Sequence, residues 1–186
     1  MELIKYLHKE FGISDDLLEQ IDQCCQTKTY HKKQVVLPPD HQSSNVYFVE
    51  KGLVRMFYRK AGKDITHYFF PEDTFAAATE STFYQKRSIY GIEAVESATI
   101  TSIPFAAVER LASHAIPINR LIQFILLQSL MGFSSRLHSL QFESALERYN
   151  NLIQRQPDIL LRAPLGDIAS YLGISQQTLS VIRGIR

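Results

Sequence analysis

Apolar positions along the 186-residue chain change their period twice. Near the start, Leu17, Leu18, Ile21 and Cys25 share one face at helical spacing. Ser14 precedes them as an N-cap. Asp15 and Asp16 fill the first turn, where negative charge suits the positive helix end. From about Thr29 to Ile103 the pattern turns to short runs rich in Val, Ile, Tyr, Phe and Thr: 34–37, 46–50, 53–59, 65–70, 88–95 and 99–103. Turn sequences part them: Pro38-Pro39-Asp40, Gln42-Ser43-Ser44-Asn45, Lys51-Gly52 and Ala61-Gly62-Lys63. Many short strands at this spacing predict a sandwich or small barrel.

Helical spacing returns at Phe105. Residues 106–113 predict a short helix, and Pro117 fits the first turn of a long one. In that helix Ile118, Leu121, Ile122, Phe124, Ile125, Leu126, Leu127, Leu130, Met131 and Phe133 cover more than one face. A helix apolar nearly all round has to be buried nearly all round. One face packs on the strand domain; the rest calls for the same helix of a second copy, or for an internal core. The dimer reading takes Leu121, Ile122, Ile125, Leu130 and Phe133 as its contacts. The stretch 116–133 is interrupted by Asn119, Arg120, Gln123 and Gln128. A bilayer span needs about 20 largely uninterrupted apolar residues, so no membrane partner is expected. Residues 142–154 predict a further helix, stopped by Pro157.

The segment 164–183 has the spacing of a helix-turn-helix. Ile168 and Leu172 share a face, and the small Ala169 allows a second helix to cross closely. Gly173 can adopt the left-handed conformation that ends a helix sharply. Ile174 plugs the turn, Ser175 caps the next helix, and Leu179 and Ile182 face the core. The second helix would enter a major groove by its N-terminal end. Gln176, Gln177, Ser180, Val181 and Gly184 then point outward, the first four offering contacts to bases; Thr178, the backbone amides at the helix start beside Ser175, and Arg183 suit the phosphates. With no arginine on the base-reading face, an A/T-leaning half-site is expected.

Composition adds limits. At 45% hydrophobic and 21% charged, the chain can build a packed core and is not of the disordered class. The net charge is only +1, so any attraction for DNA is local: no acidic residue follows Asp167, and Arg183 and Arg186 lie near the end. Cys24 and Cys25 are adjacent; a bond between them would be strained and close no useful loop. They read as two buried thiols on the early helix, in a reducing cytoplasm. Residues 1–5 lack the layout of a signal peptide, which again points to the cytoplasm. The six histidines, His8, His31, His41, His67, His114 and His138, form no His-x-His pair. There is no Gly-x-Ser-x-Gly elbow, phosphate loop or Gly-x-Gly-x-x-Gly. Neither catalysis nor a metal site is expected.

The order of these parts resembles the Crp/Fnr family of bacterial transcription regulators. The resemblance covers nearly the whole chain. Val46-Tyr47-Phe48-Val49-Glu50-Lys51-Gly52-Leu53-Val54-Arg55 is similar to the family's strand–glycine turn–strand, and Lys60-Ala61-Gly62-Lys63-Asp64-Ile65-Thr66 to its next hairpin. Ile168-Ala169-Ser170-Tyr171-Leu172-Gly173-Ile174-Ser175 with Thr178-Leu179-Ser180 is similar to its recognition motif. The closest resemblance is to short-tailed members from Bacteroidetes-type bacteria. The implied fold is α+β: a double-stranded β-helix (jelly-roll) sensor domain over 1–115, a dimerisation helix over 116–140 and a helix-turn-helix domain over 141–186.

Departures from the family sharpen the expectation. Its cyclic-nucleotide binders hold the ribose and phosphate with a Gly-Glu-Leu segment and a following Arg-Ser. This chain has Glu72-Asp73-Thr74-Phe75, without the glycine, and Arg87-Ser88 with Tyr90 near the second place. These seven residues form the expected effector pocket. A phosphate needs amides and a cation, whereas Glu72, Asp73 and Glu80 bring negative charge. The residues therefore argue against a cyclic nucleotide and for another small effector, or none. Val181 stands where the family commonly has arginine, and no wing is expected behind the recognition helix. The implied partners are double-stranded DNA and a second copy, with RNA polymerase as a further candidate. The competing reading is a dimeric ligand-sensing or scaffold protein that has lost specific DNA binding.

Overall fold

The computed structural model describes residues 1–184; Arg186, one of the two closing cations, lies outside them. Two helices open the chain, α1 (Glu2–Phe11) and α2 (Asp15–Cys24). Eight strands follow: β1 (Gln26–Tyr30), β2 (Val35–Leu37), β3 (Asn45–Lys51), β4 (Val54–Lys60), β5 (Lys63–Phe70), β6 (Phe75–Ala76), β7 (Gly91–Ala94) and β8 (Ala98–Pro104). A short helix, α3 (Thr79–Tyr84), interrupts them. The strands form two antiparallel four-stranded sheets, ordered β1-β8-β3-β6 and β2-β7-β4-β5. Packed face to face, these make the expected jelly roll. The core between them holds Val49, Val54, Ile92, Ala94 and Ile100.

The helical half follows as α4 (Phe105–Ala112), α5 (Ile116–Phe142), α6 (Ala145–Arg155), α7 (Ile159–Arg162), α8 (Leu165–Leu172) and α9 (Gln176–Gly184). Pro117 sits in the first turn of α5. Ser144 and Glu147 form a reciprocal capping box at the start of α6. A second core joins α1, α2, α4 and the start of α5 over Phe48 and Ile103. A third runs from Leu53, Phe69 and Val95 of the roll into Leu152, Ile159, Ile168, Leu172, Leu179 and Ile182 of the C-terminal helices.

Several sequence expectations change. Cys24 is exposed and Cys25 only partly covered, because α2 ends at Cys24 and its inward face is spent at Leu18 and Ile21. Ser14 is the N-cap residue of α2, without a side-chain bond. Helix α5 runs on through Phe142, so the next helix starts at Ala145 rather than Phe142. Strand β7 is shorter than the expected 88–95: Ser88 makes an isolated bridge with His41, outside it. Leu121 is 4% exposed, already taken by the core of its own chain, and so offers no face to a second copy. Ile122 and Ile125 are partly covered against the same core.

Candidate nucleic-acid interface and sensor cleft

The turn between α8 and α9 is made as its residues dictate. Gly173 has φ +68° and ψ 33°, where a side chain would be strained. Its neighbour Ile174 donates a backbone hydrogen bond to Ala169 at 3.0 Å, closing the end of α8. The Ser175 hydroxyl accepts from the Thr178 amide at 3.0 Å. Leu179 and Ile182 are buried beneath, beside Ala169. Two arginines from other helices cover the carbonyl end of α8: Arg136 of α5 donates to the Tyr171 carbonyl at 2.8 Å, and Arg148 of α6 to the Leu172 carbonyl at 2.9 Å. Cations there complement the helix dipole. Arg136 also lies 4.2 Å from the centroid of the Tyr171 ring.

All seven residues assigned to DNA, Ser175, Gln176, Gln177, Thr178, Ser180, Val181 and Arg183, are exposed on α9 or its cap. The structure divides them further. Gln176 turns toward the start of α8; a methyl group on Gly166 would meet its amide nitrogen at 2.5 Å. The Thr178 hydroxyl is within 2.9 Å of the Ser175 hydroxyl and so has a local partner. Gln177, Ser180, Val181 and Arg183 complete the outward face.

The α8–α9 unit is fastened to the roll by charges that periodicity did not single out. Arg55 of β4 is 5% exposed. Its guanidinium reaches Asp167 of α8 at 2.7 Å, Glu93 of β7 at 3.0 Å and the Thr66 hydroxyl at 3.1 Å. Ser170 of α8 accepts from the Thr66 amide at 3.1 Å. Burial pushes the carboxyls of Glu93 and Asp167 above their ordinary range, against the pull of Arg55. Arg162 of α7 binds Glu72 at 2.7 Å and Glu96 at 2.6 Å. The available signal was a charge inside an apolar run, Leu53-Val54-Arg55-Met56-Phe57. A run apolar at consecutive positions is covered on both faces, so an arginine within it needs a partner.

The expected effector pocket is only half assembled. A cleft of about 580 Å³ lies between the roll and α5, and Asp73, Thr74 and Phe75 line it. Glu72, Arg87, Ser88 and Tyr90 do not. Glu72 is committed elsewhere, accepting from the Gly52 amide and twice from Arg162. Burial raises its pKa, but these bonds outweigh it and hold the carboxyl below its usual range. Ser88 is buried and donates to Glu80, leaving a carboxylate beside it. Arg87 is exposed, and Tyr90 packs edge-on against Tyr58 and beside His67.

The far side of the cleft is α5. Leu126, Leu130, Phe133, Leu137 and Leu140 are between 45% and 64% exposed. They alternate four and three apart, the spacing of a coiled-coil seam. Helix α5 is also long and apolar enough, by length and composition, to cross a membrane. Its Ile118 and Leu121 are buried in the core shared with α1, α2 and α4, and Arg136 is bound to α8.

Residues 27–115 match the cyclic nucleotide-binding domain family. The Anaerobic regulatory protein of Haemophilus influenzae is 25% identical over 191 residues, spanning 94% of this chain and 72% of that protein. Among solved structures, FixK2 from Bradyrhizobium japonicum superposes with a TM-score of 0.75 at 18% identity, covering 86% of this chain and 83% of that one. A transcriptional regulator of the crp/fnr family from Eubacterium rectale superposes with a TM-score of 0.74 at 15% identity, covering 96% and 85%. The chain shares the fold of the Crp/Fnr regulators. Its jelly roll, long helix and helical C-terminal region have the arrangement of that family's folds. Members of the family are transcription regulators, not enzymes. In this fold α9 is the second helix of the helix-turn-helix, and α5 adjoins both the roll and the α8–α9 unit.

Proposed function

We propose that this protein is a cytoplasmic homodimeric transcription regulator that binds double-stranded DNA through α9. Two copies join along the α5 seam, and an effector or partner acting on the roll shifts α5. The observation that carries this reading is the exposed apolar seam on a helix whose Arg136 holds the carbonyl end of α8. Such a seam costs free energy in water and is relieved by a second copy. Pairing along it sets the distance between two recognition helices. Only one spacing fits half-sites a helical turn apart. RNA polymerase is a further proposed partner of the DNA-bound dimer. We divide the chain functionally into sensor (1–115), dimer helix (from 116) and DNA-binding unit (to 186).

The test is a gel-shift titration at several salt concentrations, using the promoter next to the protein's own gene. Wild type should bind with an affinity that falls steeply with salt. Arg183→Ala should weaken binding to all sequences and lower the salt slope by about one. Gln177→Ala should cost about 1–3 kcal/mol and relax preference at one base pair. Selection from random duplexes should return an A/T-leaning half-site; a G-rich one, or no DNA binding at low salt, overturns the assignment.

A further inference from the structure

Helices α5 and α6 face each other with charge where two packed helices ordinarily carry apolar residues. Ser135, Arg136 and Ser139 share one face of α5, away from its exposed apolar seam, and Arg148, Asn151 and Arg155 share one face of α6. Between them lies a pocket of about 90 Å³, which Tyr68 of β5 and the end of α8 also line. Among the described residues, its lining holds three arginines and neither an aspartate nor a glutamate. Like charges brought together repel, and partial burial makes the repulsion costlier. The arginine ion pairs among the described residues belong to Arg55, Arg59 and Arg162. The three arginines of the pocket have neutral partners instead. Arg136 donates to the Tyr171 carbonyl, Arg148 to the carbonyls of Leu172 and Glu143, and Arg155 to the Ser135 hydroxyl at 3.0 Å. A guanidinium carries five N–H donors, so these bonds fill none of the three.

The groups converge. Burial and the neighbouring Tyr171 push the Tyr68 phenol up, and the charges of Arg155 and Arg136 pull it down, so both guanidiniums lie within electrostatic reach of it. A methyl group on Gly132 would come 3.2 Å from the Tyr68 hydroxyl, which sets that hydroxyl against α5 one turn before Arg136. Glu143 is close enough to feel Arg155, but its carboxylate oxygens are spent on Ser139 and Asn151. Arg136 and Arg148 are half-buried, whereas Arg155 is exposed and gives the pocket a solvent side.

We infer that this pocket binds one small tetrahedral oxyanion, of the phosphate or sulfate class, between Arg136, Arg148 and Arg155, with the Tyr68 hydroxyl as a further donor. Guanidinium forks match the paired oxygens of such an ion, and cations arriving from two helices suit an ion with oxygens on several sides. A cavity of about 90 Å³ admits only a few heavy atoms. Ordinary ligand clefts hold roughly 300–1,000 Å³, so a whole nucleotide is excluded. The bound ion would join β5, α5 and α6 at the carbonyl end of α8. The inference goes beyond the DNA-binding reading and does not depend on it.

The test is isothermal titration calorimetry of the full chain with sodium phosphate, in a chloride buffer of constant ionic strength. Saturable binding of one ion per chain is expected, with sulfate competing and acetate at least tenfold weaker. Arg155→Gln, at an exposed position, should weaken it at least tenfold. Arg155→Glu, which hands the pocket a carboxylate of its own, should abolish it. Lys60→Gln, an equal loss of charge at the exposed end of β4, should leave it unchanged. Circular dichroism verifies the fold of each variant. Heat that does not saturate, binding matched by chloride or acetate, or equal binding by wild type and Arg155→Gln overturns the inference. So does an equal loss in Lys60→Gln, which would mean general attraction to charge. Gel shifts on the same preparation separate the two claims. DNA binding without phosphate binding overturns the pocket alone; phosphate binding without DNA binding supports the pocket and overturns the regulator.

Discussion

Arg55 shows how one charge can decide the placement of a whole unit. It is buried between β4, β7 and α8, and it offsets two carboxylates that burial penalises. Arg55→Leu should cost about 3–5 kcal/mol at neutral pH, because it leaves Glu93 and Asp167 buried without a cation. Both carboxyls have raised pKa values in the folded protein. Their favourable contribution is therefore present at low pH, where they are protonated, and lost as pH rises through their folded pKa values. The penalty of the substitution should be largest at pH 7 and shrink toward pH 4, as measured by urea unfolding at both. His67 behaves in the opposite sense. Burial first, then the charge of Arg136, holds its imidazole down at about 4. Its contribution is present above the ordinary histidine value and lost as pH falls from about 6.5 toward 4. His67→Phe should lose less stability over that interval than wild type, in the same urea measurements.

At the scale of elements, α5 carries three contacts on three faces. Ile118 and Leu121 belong to the core shared with α1, α2 and α4, Arg136 binds α8, and Leu126, Leu130, Phe133, Leu137 and Leu140 stay largely exposed in a single chain. The double variant Leu130→Lys, Leu137→Lys puts like charges on the seam without touching the first two faces. Sedimentation should show a dimer for wild type and a monomer for the double variant at micromolar concentration. Far-ultraviolet circular dichroism should be unchanged, and DNA affinity should fall at least tenfold because two recognition helices are no longer held together. Periodicity exposed this helix but not its division of labour. A residue such as Leu121 looks like Leu130 in sequence; only the position of α1 and α4 around the helix separates them.

In the whole molecule the roll and the C-terminal helices share one apolar cluster. Leu53, Phe69 and Val95 lie in it with Leu152, Ile168, Leu172 and Leu179. Leu53→Ala should cost about 2–5 kcal/mol. Unfolding followed by tyrosine fluorescence and by circular dichroism should give one coincident transition, displaced as a unit by that substitution. Separate transitions would mean that the two halves unfold independently. Much of this architecture was legible in advance. The middle strands, the long helix and the helix-turn-helix each announce themselves by period, cap or turn residue. The missed elements had reasons to be missed. Strand β1, Gln26-Thr27-Lys28-Thr29-Tyr30, is mostly exposed and held by backbone pairing with β8, so it shows no apolar alternation. Strand β6 has two residues and follows Asp73, whose φ is +59°.

By itself the sequence determined what short-range physics decides. Gly173 has the freedom to turn left-handed, Ser175 the oxygen to cap α9, and Leu179 and Ile182 the spacing to face inward. The surface that α9 presents follows from the same spacing. Only the tertiary structure decided which charges are spent and which space is left. Glu72 is taken by Arg162, 90 residues away, and Arg55 by Asp167, 112 residues away. The first pairing keeps Glu72 out of the cleft between the roll and α5; the second fixes where the α8–α9 unit sits. Ion pairs and cavities depend on distance in space, and the chain must fold before those distances exist.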